Sequence, residues 1–147
     1  MKLVIALLNL LYLSSVIGAP AEFEDYAPRA RMNFAMFCSG CHQMSGKGSP
    51  EIVPDLGEYL GQFAQNSDSR PFLVQVPGAS SAPLDNKELT EVINWILYTM
   101  NADQLDDDFK PYTTEEVAEY RKSPLLDVIP VRDKLVEKIV HSYQVSQ

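Results

Sequence analysis

Five consecutive residues, Cys38-Ser39-Gly40-Cys41-His42, hold the densest chemistry in the chain. Two thiols separated by two residues can close a disulfide, cycle as a dithiol, bind a soft metal or add to an unsaturated group. The imidazole that follows can bind a metal. These are the only two cysteines among 147 residues. A disulfide across so short a loop stabilises little by loop closure, so the pair is placed for chemistry and not for stapling. Zinc wants four ligands, and beyond His42 the one other histidine is the distant His141. A thioredoxin-like dithiol wants strands alternating with helices, whereas this chain reads as helices and turns. C-x-x-C followed at once by His is the pattern of covalent haem attachment. Both thiols reach vinyl groups along one porphyrin edge, and the next residue puts an imidazole under the iron. Gly40 keeps side-chain bulk away from the ring. The second ring nitrogen of His42 then needs an acceptor, commonly a backbone carbonyl. The pattern implies one haem per chain, held covalently, with the dithiol and metal readings as weaker alternatives.

The elements around this motif follow from periodicity and turn chemistry. Residues 29–37 lack Gly and Pro and carry Met32, Met36 and Phe37 at helical spacing. They predict a short helix running into Cys38, with Met32 and Met36 in the core and a flexible lead-in at 22–28. Turn-forming residues follow at 45–50 and 54–57. A short helix is expected at 58–64, a polar loop at 66–70, an extended or one-turn segment at 72–76 and irregular chain at 77–83. Asp85 with Glu88 makes a helix start, and Leu89, Ile93, Ile96, Leu97 and Met100 form the apolar face that follows. Residues 101–108 are acidic and read as a solvated linker. Thr113 with Glu116 opens another helix, which Pro124 stops. A last amphipathic helix is predicted over 131–143, with Val131, Leu135, Ile139 and Tyr143 in line. The fold class is therefore all-α.

Residues 1–21 have the layout of a secretory signal peptide. Lys2 is followed by an apolar run over 3–17 and by Ala19-Pro20-Ala21. Cleavage is expected after Ala21, with Gly18 as the alternative. The run is short for a membrane span of about 20 residues, so membrane attachment arises only if the segment stays uncleaved. The expected organisation is a signal peptide at 1–21, a haem domain at 22–102, and an acidic linker with a helical extension at 103–147.

Residues 29–100 resemble a class I cytochrome c domain. The matching parts are the helix ending in C-x-x-C-H, the Ser45-Gly46-Lys47-Gly48 turn, Pro54-Asp55-Leu56, and a final helix carrying Trp95 and Tyr98. The resemblance implies an all-helical fold around one haem c. The first and last helices would cross at the haem edge, with Met36, Phe37, Trp95 and Ile96 near the contact. It also implies Cys38 and Cys41 as thioether anchors, His42 as the proximal iron ligand and single-electron transfer as the role. Nothing in it accounts for residues 102–147.

One departure from the family pattern matters. Class I members usually supply a methionine just before the last helix as the sixth iron ligand, and here Ala82 precedes Pro83. The other candidates are Met100 and His141. Met100 reads first as a packing residue and His141 as a surface one. An open or weakly filled sixth position would lower the potential and admit small ligands or peroxide. The function is then an electron carrier rather than a catalyst, with a ligand-binding or peroxide-reacting haem protein as the alternative. Arg70 is the one residue in the middle of this domain that could act as a distal acid–base group, and a surface or propionate-pairing role is the simpler reading of it.

The formal net charge is -8, and no basic cluster interrupts it. That argues against nucleic acid as a partner. It suits an extracytoplasmic redox protein with a basic docking patch, although a solvated acidic surface explains it more simply. With the signal segment, the expected location is the periplasm.

Overall fold

A computed structural model describes residues 19–49 and 51–145. The expected signal peptide lies largely outside the described residues. Among those residues the chain is helical and contains no strand beyond an isolated bridge between Ser49 and Val53. No described helix is long and apolar enough to cross a membrane.

The long helices α1 (Phe23–Phe37) and α6 (Asn86–Met100) pack against each other and set the frame. On α1 the contact face is Phe23, Ala27, Ala30 and Phe34, spaced by four, three and four residues. Ala30 and Phe34 are fully buried, and the Phe34 ring lies 5.2 Å from that of Trp95. Small Ala side chains let the two backbones approach, and this choice of face turns Met32 and Met36 outward. They are 64% and 66% exposed, not in the core as their spacing suggested. The lead-in at 22–28 is also helical, despite Pro28. Edge-to-face contacts of Phe23 with Tyr26 and Tyr98, each at 5.5 Å, hold that first stretch against the proline's missing N–H.

α6 begins as its sequence predicts. Asp85 accepts from the Glu88 N–H, and Glu88 reaches back to the Asp85 N–H. Every residue from 89 to 97 is buried, because α7 (Thr114–Tyr120) covers the side that α1 leaves open. Polar groups caught in this layer are paired. Asn94 exchanges two hydrogen bonds with the Tyr112 backbone at 2.8 and 2.9 Å, and Glu91 receives Arg29 at 2.6 and 2.8 Å. At the end of α6 the wholly buried Asn101 accepts from the Gly61 N–H at 3.2 Å.

Three short helices line the middle of the chain: α3 (Leu60–Gln65), α4 (Phe72–Gln75) and α5 (Pro77–Ser80). Helical α5 falls in the stretch expected to be irregular, since a proline at N1 is already set for a helical turn. Tyr112, Val117 and Leu135 are buried in the same cluster as Phe63 and Leu97. Arg121, just past α7, donates to the carbonyls of Ser80 (3.2 Å), Ala82 (2.9 Å) and Leu84 (2.8 Å) and to Asn86 Oδ1 (3.1 Å). It thereby fixes the loop that carries Ala82. The last helix, α8 (Ile129–Val145), follows.

Candidate functional site

The C-x-x-C-H motif folds as a single helical turn. Cys38 ends α1 by donating to the Phe34 carbonyl at 2.9 Å, and α2 (Ser39–His42) begins at once. Cys41 and His42 both donate their N–H to the Cys38 carbonyl, at 3.2 and 3.0 Å. Helical geometry puts residues three and four apart on one face, so this turn carries both thiols and the imidazole to the same side.

A tight loop then returns to meet His42. Gly46 and Gly48 adopt φ of +78° and +65°. Gly48 has no room for a side chain, since a Cβ there would sit 2.2 Å from the Val53 carbonyl oxygen. Its N–H donates to the His42 carbonyl at 3.1 Å, and Gln43 Nε2 donates to the Gly48 carbonyl at 2.6 Å. The return brings the Pro54 carbonyl to His42 Nδ1 at 3.2 Å. With Nδ1–H directed at that carbonyl, Nε2 is left free to bind a metal. Burial holds the His42 imidazole below its ordinary range, against the opposing effect of the Pro54 hydrogen bond. The ring is therefore neutral near pH 7, the form that ligates. Burial, with Cys41 adding to it, pushes the Cys38 thiol up. A redox dithiol wants the opposite shift.

Cys38, Cys41 and His42 open on a cavity of about 410 Å³, within the usual size of small-molecule sites. Its lining is overwhelmingly apolar: Phe34, Phe63, Phe72, Leu89, Val92, Ile93 and Ile96 contribute from four helices. Ala82 is part of the wall. Val128 and Arg132, from the start of α8, are part of it too. Sequence reasoning missed both, and no local signal marks them, because α8 carries no motif that points to a cavity.

The other candidates lie elsewhere. Met100 is outside the cavity lining, with its sulfur packed on Gly46, where an added Cβ would come within 2.7 Å of Sδ. His141 is exposed on α8 and does not line the cavity. Arg70, considered as a distal or propionate group, is bound up in the fold. Its Nε and Nη2 grip Glu116 at 2.8 and 3.0 Å, it donates to the Ala64 and Pro111 carbonyls, and it stacks 3.8 Å from the Tyr112 ring centroid. Among the described residues no group of three or more His, Cys, Asp or Glu side chains converges to hold a metal ion, which removes the closed zinc site.

A helical chain whose C-x-x-C-H turn faces an apolar cavity has the make-up of a c-type cytochrome. Comparison with known proteins supports the same class. The chain is 29% identical over 118 residues to a cytochrome c-552 of Thermus thermophilus, covering 67% of this chain and 90% of that protein. A second cytochrome c-552, from another strain of the same species, is 29% identical over 118 residues, with 80% of its length covered. This similarity supports a c-type cytochrome in electron transfer. No protein-family model matches the chain, and no solved structure matches it significantly.

Proposed function

We propose that this chain is an exported c-type cytochrome with one haem bound covalently through Cys38 and Cys41 and with His42 as an axial iron ligand, moving single electrons to or from an extracytoplasmic redox protein. The observation that carries it is the turn at 38–42, with His42 Nδ1 set against the Pro54 carbonyl at 3.2 Å at the edge of an apolar cavity. The donor set suits the group: two thiols for thioether links, one neutral imidazole for iron, and apolar walls for the porphyrin faces. Haem supplies a one-electron centre there, and the protein sets its potential through ligand and surroundings. Cys41 is exposed, so the attached edge lies near the surface where a partner can approach. Export is supported by the layout of residues 1–21, and a basic partner by the net charge of -8.

A second reading, a haem protein that binds small ligands or reacts with peroxide, is favoured by Ala82. It stands in the cavity wall where the resembled family places methionine, and alanine cannot bind iron. Met100 and His141 are both away from the cavity lining. The sixth position is then open, and electron transfer and ligand binding share the site.

Visible spectra of the matured protein, ferric and ferrous, with and without carbon monoxide, test both. The expected result is covalently held haem, a high-spin ferric spectrum and a ferrous spectrum that carbon monoxide shifts. Normal double attachment in Cys41→Ala would overturn the anchoring assignment. A low-spin spectrum indifferent to carbon monoxide would overturn the open position and leave electron transfer alone.

A further inference from the structure

The porphyrin that Cys38 and Cys41 would anchor carries two carboxylates, and a carboxylate leaving bulk water needs a cation or hydrogen-bond donors. Basic side chains at the cavity are few. Those in its lining are His42 and Arg132, and His42 is turned to the Pro54 carbonyl. Three nearby arginines are committed to the fold: Arg29 to Glu91, Arg70 to Glu116 and two carbonyls, and Arg121 to the loop at 80–86. Arg132 is different. Its guanidinium makes one contact with a carboxylate, Nη2 to Glu58 Oε2 at 3.2 Å, and the Glu58 side chain is half exposed. The guanidinium stands 5.8 Å from the centroid of the Tyr59 ring, which also lines the cavity. Val128 lies one helical turn earlier on the same wall. A planar fork of donors, partly solvated and only loosely paired, is what an incoming carboxylate would use.

We infer that Arg132 is the cation that receives a haem propionate, so that α8 is one wall of the haem site and its docking depends on the cofactor. The role rests on the covalent haem proposed above. It also explains how α8 is held. Leu135 is the buried side chain among those described on this helix, and the salt bridges Arg132–Glu58 and Lys138–Asp68 lie at the surface, where such pairs contribute little. A carboxylate on Arg132 would add the missing tie.

The test uses the haem-loaded full chain as wild type, Arg132→Gln, Arg132→Lys and, as an exposed control on α8, Lys134→Gln. The midpoint potential is followed from about pH 5 to about pH 9, and thermolysin cleavage within α8 is timed. A propionate paired with Arg132 stays ionised throughout that range, because a nearby cation lowers a carboxyl pKa. Wild type and Lys134→Gln should give a flat profile. Arg132→Gln should gain a pH-dependent segment, which Arg132→Lys removes in part, and its α8 should be cut roughly tenfold faster. An Arg132→Gln profile identical to wild type overturns the assignment. If that variant instead loses fluoride affinity at ferric iron while its pH profile stays flat, Arg132 serves an anion on the iron and the propionate role is wrong. Absence of covalent haem in the wild type would sink the proposed function and this role together, whereas a loaded wild type with an indifferent variant sinks Arg132 alone.

Discussion

A histidine ligates iron well only when its ring is neutral and aimed, and at His42 both conditions trace to a residue six positions away. Gly48 sits at φ +65°, pressed against the Val53 carbonyl, and the turn it permits delivers the Pro54 carbonyl to Nδ1. Gly48→Ala must either push back the 53–54 backbone or adopt a strained φ, at a cost of about 1–3 kcal/mol. The expected outcome is a lower melting temperature by circular dichroism together with an altered ferric haem spectrum, since the ring loses its acceptor. A variant that melts lower with an unchanged spectrum would show that Pro54 does not hold the ligand. The attachment turn was legible in the sequence because its information is entirely local: five residues in a row on one helical turn. Gly48 was legible only as part of a turn cluster. Arg132 was not legible at all, because what makes it part of the wall is a contact between residues 74 positions apart, Arg132 with Glu58.

At the scale of elements, the sequence spoke clearly where a helix start is encoded by its own side chains. Asp85 with Glu88 and Thr113 with Glu116 both form reciprocal capping boxes. It misled where packing decides. Met32 and Met36 have helical spacing, but Ala30 and Phe34 have it too, and close approach to α6 selects the alanine face. Glu116 serves twice, capping α7 and gripping Arg70, and so ties α7 to the loop before α4. The Arg70 hydrogen bond holds the Glu116 carboxyl below the usual range, against the opposing effect of burial. A depressed folded-state pKa stabilises the fold fully above the ordinary carboxyl value, and that contribution is lost as pH falls through the folded value. Glu116→Gln should therefore destabilise by about 2 kcal/mol near pH 7, the cost of breaking a buried pair discounted because Glu116 is 31% exposed. The gap between wild type and variant should close as urea unfolding is repeated toward pH 3. A gap of constant size across that range would mean the carboxylate charge contributes nothing.

For the whole molecule, the C-terminal third was the least legible part. Its apolar stripes predict helices but not what they cover. In the structure Tyr112 and Val117 are buried with Phe63 and Leu97, Arg121 clamps the Ala82 loop, and Val128 and Arg132 reach the cavity. These are long-range choices, which periodicity cannot encode. Net charge, by contrast, is a property of the whole sequence and needs no fold. At -8 the chain should attract positive reactants and repel negative ones over about a Debye length, roughly 8 Å at physiological ionic strength. Electron exchange with two small complexes of opposite charge, hexaammineruthenium and hexacyanoferrate, measures this without any biological partner. The rate with the cationic complex should fall as salt rises from about 10 mM to about 500 mM, and the rate with the anionic complex should climb, because screening removes attraction in one case and repulsion in the other. If both rates ignored salt, the acidic groups would lie too far from the electron's exit to steer a partner, and the basic docking patch expected on that partner would lose its physical ground.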